Sequence, residues 1–211
     1  MIQVVQSHFL SSASSIFNAP PPVDSEIVFL GRSNVGKSTL INALLNKPLA
    51  KSSSTPGKTQ LINFFYSLWT LDKQPLPLTL IDLPGFGYAK VSKTLQKQWQ
   101  KHLMDFLLAR GSIKLFLHLL DARHTQMEID ISVGQMLERI CHNDQYILRI
   151  YTKADKLKQS ELNALKGHLA QDKAHRAYIF SATKTHHKMT SITQLREGIA
   201  QYVLGLSTWN L

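Results

Sequence analysis

Several short stretches of the 211-residue chain combine residue types that can hold phosphates. The first is Gly31-Arg32-Ser33-Asn34-Val35-Gly36-Lys37-Ser38, which has the spacing G-x-x-x-x-G-K-[ST]. In that pattern glycines let backbone N–H groups close around phosphate oxygens, the lysine reaches the outer phosphates, and the hydroxyl binds magnesium. The flanks fit: Glu26-Ile27-Val28-Phe29-Leu30 reads as a buried strand and Thr39-Leu40-Ile41-Asn42-Ala43-Leu44-Leu45 as a helix. A strand feeding a glycine turn at a helix N-terminus gathers backbone donors and the helix dipole at one point.

In an open parallel sheet, ligands sit beyond the carboxyl ends of the strands, so the residues after each strand carry the next information. Asp82-Leu83-Pro84-Gly85 is a D-x-x-G pattern. Its carboxylate can hold magnesium through a water, and the Gly85 amide can reach a terminal phosphate unobstructed. Thr152-Lys153-Ala154-Asp155 follows a later strand. A carboxylate at Asp155 can accept both donors of the guanine edge, N1–H and N2–H₂, a pair that adenine lacks. The Lys153 stem would pack on the base. Phe180-Ser181-Ala182, after the last strand, could offer backbone N–H groups to the guanine O6. Between the first helix and the second firm strand lies Thr55-Pro56-Gly57-Lys58-Thr59-Gln60-Leu61. Its nucleotide-binding part is Gly57-Lys58-Thr59-Gln60-Leu61, with Thr59 as the hydroxyl that closes on magnesium and Thr55 as the alternative. A loop ordered by the terminal phosphate and released on hydrolysis is a switch, and residues 83–93 would form the second one.

These residues need a frame. Strands alternate with helices beyond Gly111: Ile113–Leu120, Met127–Cys141, Tyr146–Tyr151, Glu161–Ala170, Ala177–Phe180 and Ile192–Leu204. That order predicts a parallel sheet covered on both faces. Leu61–Trp69 reads as an aromatic strand, Asp72–Pro77 as a hairpin turn, and Leu78–Asp82 as the returning strand. Lys93–Ala109 reads as a helix with Leu95, Trp99, Leu103, Phe106 and Leu107 on one face. Residues 1–24 form an N-terminal arm that serines and Ala19-Pro20-Pro21-Pro22 keep extended or irregular, with an edge strand at Ile2–Val5. The main domain spans residues 25–205 and a tail covers 206–211.

Composition narrows the setting. The formal charge is +10, from 24 Lys and Arg against 14 Asp and Glu, which points to a polyanionic partner, nucleic acid before membrane. There is no membrane-length apolar run and the start lacks the basic region of a secretory signal, so a cytoplasmic monomer with no membrane insertion is expected. Cys141, the single cysteine, reads as an inert buried thiol. The nine histidines show no paired ligand spacing and read as solvated or core residues. Lys90, Lys93, Lys97 and Lys101 read as a solvated helix face rather than an RNA-contacting stripe, and Trp99 as core rather than a stacking platform.

The combination resembles the EngB family (also called YihA or YsxC) of Era-like, translation-factor-type P-loop GTPases. The resemblance rests on the phosphate loop, on residues 55–65, on Asp82-Leu83-Pro84-Gly85-Phe86-Gly87-Tyr88-Ala89 and on Thr152-Lys153-Ala154-Asp155-Lys156-Leu157, and spans about residues 25–205. It implies a three-layer α/β GTPase domain with a six-stranded, mostly parallel sheet, one antiparallel edge strand (residues 60–69) and helices on both faces. It also implies magnesium-dependent hydrolysis of GTP to GDP and a role in assembling the large (50S) ribosomal subunit. Normal cell division and septation belong to the same implication, and ribosomal RNA would be the polyanion. The expected magnesium ligands are Ser38, Thr59 and Asp82; the candidate catalytic residues are Lys37, Asn34 and Gly85.

Two departures bear on the chemistry. Phe86 stands where many GTPases carry a water-orienting glutamine, which implies slow intrinsic hydrolysis and leaves no side-chain general base to name. Thr152 stands where many have asparagine, which implies weaker bracing of the base motif. In related GTPases an asparagine at the Asn34 position helps hold a potassium ion; the alternative is that Asn34 only braces its loop. Two rivals stand beside the ribosomal reading. One is a division or septation regulator acting through protein partners without ribosome contact. The other is a P-loop kinase or ATPase with a second substrate, against which the Asp155 tetrapeptide counts.

Overall fold

The structure, a computed structural model, describes residues 1–51, 61–86, 93–142, 144–172, 176–183 and 189–206, with the backbone alone for 93–100. Twelve main elements follow in chain order: strand β1 (Ile2–Ala13), β2 (Ser25–Gly31), helix α1 (Lys37–Leu45), β3 (Ile62–Leu71), β4 (Gln74–Asp82), α2 (Lys93–Ala109), β5 (Ile113–Asp121), α3 (Glu128–Ile140), β6 (Tyr146–Thr152), α4 (Gln159–Gln171), β7 (Arg176–Ile179) and α5 (Ile192–Val203). The sheet order is β1-β3-β4-β2-β5-β6-β7. β2 lies between β4 and β5 and pairs in parallel with both, which is why its run from Glu26 to Gly31 is buried throughout. Its carboxyl end therefore opens at the middle of the sheet.

The sheet has seven strands where six are expected. The additional strand is β1, which extends far beyond Ile2–Val5 and pairs antiparallel with β3 from Ile2↔Leu71 to Ala13↔Ile62. Its serines are accommodated by cross-strand partners: the Ser7 and Ser67 hydroxyls meet at 2.8 Å, and Ser12 Oγ donates to Asn63 Oδ1 at 2.6 Å. The expected antiparallel strand is β3, the one strand opposed to the rest, with β1 lying outside it. β4 also begins earlier than expected. Asp72 and Lys73 both adopt positive φ (49° and 70°), so the hairpin turns in two residues and Leu71 pairs directly with Gln74. Pro75 and Pro77 fall before β4 meets β2 at Leu78, so neither deprives a neighbouring strand of a donor.

Helices cover both faces. Leu40, Ile41, Leu44 and Leu45 of α1 and Leu195 and Ile199 of α5 pack with Ile27, Phe29, Leu80 and Leu117 on one side. Leu103, Phe106 and Leu107 of α2 and Val133 and Leu137 of α3 pack with Val28, Leu30 and Phe116 on the other, and α4 adds Leu162 beside Tyr151. A buried ion pair fastens the end of α2 to β2. The Arg110 guanidinium donates Nε and Nη2 to the two Glu26 oxygens, each at 2.6 Å, and lies over the Phe64 and Phe106 rings. Among the described residues, no helix is long and apolar enough to cross a membrane.

Candidate functional site

The end of β2 turns into α1 through the glycine loop, and its backbone has the conformations that such a turn requires. Asn34 sits at φ 62° and Gly36 at φ 101°, both in the left-handed region, after which α1 starts at Lys37. Asparagine tolerates that region and glycine enters it freely. A Cβ on Gly31 would come within 2.8 Å of Val35 Cγ1 and 3.0 Å of the Leu119 carbonyl, so the loop can double back only over a bare α-carbon. The first-turn amides of α1 have no partners within the helix, and they face the loop.

The end of β4 meets this loop. Lys37 Nζ and the Asp82 carboxylate form an ion pair, with 12 % and 8 % of their side chains exposed. The chain then runs along the loop: Leu83 N–H donates to the Phe29 carbonyl at 3.3 Å, Phe86 N–H to Gly31 at 3.1 Å, and Ser33 N–H to Phe86 at 3.2 Å. Gly85 is pressed against Ser33, where a Cβ would stand 2.9 Å from the Ser33 nitrogen. The Ser33 hydroxyl is buried there with no hydrogen-bond partner among the described residues. Among the described residues, Ser38 Oγ makes one long contact, 3.4 Å, to the Lys51 carbonyl. The Ser38 hydroxyl and the Asp82 carboxylate, the latter paired with the Lys37 amine, form a donor set that suits a hard divalent cation. On the other side, Arg32 Nε donates to the nearly buried Asp130 of α3 at 2.9 Å. Burial raises the Asp130 carboxyl above its ordinary range, against the pull of Arg32.

The ends of β6 and β7 come together beside the loop. Thr152 Oγ1 lies 2.6 Å from the Val35 carbonyl and 3.1 Å from that of Leu120, so this hydroxyl braces the loop in place of an asparagine amide. Lys153 is held at φ 57°, and its amine donates to the Asn34 carbonyl. Asp155 lies in a 3₁₀ turn, Ala154–Lys156, and accepts Ser181 Oγ at 2.7 Å. Burial opposes its ionisation, but hydrogen bonds from Ser181 and Thr183 prevail and hold the carboxyl below the usual range. Phe180 O receives the Ala154 N–H at 3.5 Å, which sets the Phe180-Ser181-Ala182 segment against the turn. The structure thus brings Gly31 to Ser38, Asp82 to Gly85, Thr152 to Asp155 and Phe180 to Ala182 to one end of the sheet. A GTPase site has this arrangement of phosphate loop, acidic strand end and base-side carboxylate.

Relatives decide the family. A protein of Helicobacter hepaticus named as a probable GTP-binding protein EngB is 65 % identical, covering 98 % of both chains. Its namesake in Wolinella succinogenes is 48 % identical over 97 % of this chain and 98 % of its own. The chain belongs to the EngB family of GTP-binding proteins. A family model described as 50S ribosome-binding GTPase also matches residues 26–153, and the chain is a GTPase. A solved structure of Era, in complex with MgGDPNP and a piece of 16S ribosomal RNA, superposes with a TM-score of 0.57 at 22 % identity. That match covers 84 % of this chain and 56 % of the Era chain, and it shows the shared P-loop fold.

Some expected EngB site residues lie outside the described residues: Thr55, Gly57, Lys58, Thr59 and Gln60, and the part of the second switch at 87–92. Leu61 is described, exposed just before β3. The side chains of Leu95, Trp99, Lys93 and Lys97 are likewise outside. Two residues beside the base motif escape notice in the sequence. Asp121 ends β5 with a nearly buried carboxylate that accepts Arg123 and Lys153, and Arg123 forks onto it through Nε (2.9 Å) and Nη2 (2.7 Å). The only signal for them is an acid that closes a mostly apolar strand, at the sheet end where ligands bind.

Proposed function

We propose that this EngB-family GTPase is a nucleotide-controlled factor for large (50S) ribosomal subunit assembly: its GTP state docks on a ribosomal precursor and hydrolysis releases it. The observation that carries the switch is the stitching of the D-x-x-G segment to the phosphate loop through Phe86 and Gly85, so that any ligand in the loop is felt at residues 83–86. The ribosomal half is supported by the description of the matching family as 50S ribosome-binding and by the charge of +10, which suits ribosomal RNA. The tie to septation and normal cell division comes with the family resemblance, and the cytoplasmic, monomeric setting is the expectation raised by the sequence.

Within this reading, Asp155 selects guanine with the Lys153 stem against the base, while Gly31 to Ser38 cradle the phosphates. Ser38 and Thr59 would hold magnesium, with Asp82 reaching it through a water. Magnesium, when bound, neutralises phosphate charge. Lys37 leaves Asp82 for the outer phosphates, and the Gly85 amide meets the terminal one. Phe86 cannot orient water, so intrinsic hydrolysis is slow. Asn34, exposed on the loop, would help hold a potassium ion, which would supply positive charge beside the phosphates. GTP turnover should then run faster in potassium chloride than in sodium chloride at equal ionic strength, and equal slow rates would refute that role.

Sedimentation with large-subunit precursors in GTP, GDP and no nucleotide tests the function. Co-sedimentation should be strongest in GTP and fall steeply as salt rises. Equal recovery in all three states would remove the switch, and none at low salt would remove the ribosomal partner.

A further inference from the structure

We propose that Asp121 is a positioning residue of the guanine site: by anchoring the Lys153 amine it sets how tightly guanine nucleotides are held. The inference rests on the reading of Lys153 and Asp155 as the base-binding pair. Asp121 is the last residue of β5 and stands beside Thr152, the residue before Lys153. Its carboxylate is 7 % exposed and takes Lys153 Nζ on Oδ2 at 3.0 Å. The same amine donates to the Asn34 carbonyl of the phosphate loop. Lys153 is thus moored at two points, one on the phosphate loop and one at the end of β5. Its backbone at φ 57° lies where a side chain is rarely comfortable, and its stem is 29 % exposed. A long stem leaving such a backbone has many rotamers, and the two moorings leave it one path.

Arg123 keeps the mooring in place. It engages Oδ1 with Nε at 2.9 Å and with its backbone N–H at 3.1 Å, and Oδ2 with Nη2 at 2.7 Å. The carboxylate cannot turn away from Lys153 without breaking that fork. Burial disfavours the charge, but these bonds outweigh it and hold Asp121 ionised far below the usual carboxylate range. A simpler role, the capping of a strand end by an ion pair with Arg123, would need no contact with Lys153. Asp121 nonetheless spends an oxygen on it.

A double-substitution cycle separates the two roles. Fluorescent GDP is bound to the wild type, Asp121→Asn, Lys153→Met and the double variant, and affinity, off-rate and GTP turnover are measured. Asp121→Asn should raise the GDP dissociation constant about tenfold, mainly through the off-rate, the size expected for one charge-assisted hydrogen bond. Its turnover at saturating GTP should stay near wild type, because the effect lies in holding the base. In the Lys153→Met background, Asp121→Asn should cost nothing further. Additive losses, or unchanged affinity in Asp121→Asn, would overturn the inference. Unchanged affinity in Lys153→Met would overturn the base-site reading itself and this inference with it. A second measurement needs no variant: in the nucleotide-free protein, acetic anhydride should acetylate Lys153 well behind Lys156, whose side chain is 63 % exposed and whose amine has only a long 3.7 Å pairing with Asp155 among the described residues. Equal labelling rates would overturn the mooring.

Discussion

Replacing Asp155 with asparagine should convert a guanine site into one that favours xanthine. The carboxylate is nearly covered, at 7 % exposure, and one oxygen is fixed by Ser181 Oγ at 2.7 Å. An asparagine oxygen would keep that bond and leave its NH₂ facing the base. Guanine presents two donors, so the variant sets donor against donor where a charged acceptor stood. A hydrogen bond to a charged group is worth about 1.5–3 kcal/mol, and the unpaired donor adds a desolvation cost. Together these come to about 3–4 kcal/mol, or roughly a 10²–10³-fold loss of GTP affinity. Xanthine carries a carbonyl where guanine has its amino group, so the same NH₂ gains an acceptor. Displacement of fluorescent GDP by GTP and by xanthosine triphosphate measures both effects. Because Ser181 and Thr183 hold Asp155 ionised against its burial, the wild-type preference for GTP should persist down through the ordinary carboxylate range. A variant that keeps its GTP affinity, or gains none for the xanthine nucleotide, would refute the assignment.

Two stability predictions concern other buried groups. Arg110→Met strands Glu26, whose side chain is 1 % exposed, and should cost about 3–5 kcal/mol, or roughly 6–20 °C in thermal midpoint for a chain of this size. Adding Glu26→Leu should restore most of it, and a double variant as unstable as the single would contradict the ion-pair account. His118 is 2 % exposed with neither ring nitrogen hydrogen-bonded among the described residues, and burial, aided by Arg149, lowers its pKa from 6.5 to about 4. Between those values the unfolded chain binds a proton that the folded chain refuses. Stability should therefore fall as pH drops through that window, by about 3 kcal/mol in all. His118→Phe should flatten the slope in urea titrations at pH 7 and pH 4.5; an unchanged slope would assign the acid sensitivity to other groups.

The central strand, its glycine turn and the strand-end motifs are legible in the sequence because each is a local pattern with a single physical use. Gly31, Gly36 and Lys37 must follow an apolar strand for the backbone to close on phosphate, and they do. β1 is harder to read because its warrant lies far away. Ser7 looks like loop until Ser67 supplies a partner, and Ser12 until Asn63 does. The early start of β4 is obscured by Pro75 and Pro77, which are tolerable only because β2 has not yet joined at their level. Thr152 reads as a weaker brace than asparagine, yet its hydroxyl reaches the Val35 carbonyl at 2.6 Å because the loop comes to it. Asp121 shows no more than an acid at a strand end, since its meaning depends on where the Lys153 amine arrives.

The pairing of β1 with β3 has a consequence for how the chain is made. Ile2 must find Leu71, and Ala13 must find Ile62, so the first strand to be synthesised has no partner until the aromatic hairpin follows it. At about 5–20 residues per second, that is a wait of roughly 3–14 s with Val5, Phe9 and Leu10 uncovered. Val5 and Leu10 each lie at a break in the ladder and stay largely exposed even in the finished sheet. The two irregularities interrupt a strand that would otherwise offer a straight apolar edge to a neighbouring nascent chain. β1 is thus seated only once the hairpin of β3 and β4 has followed it, and its broken register protects it while it waits.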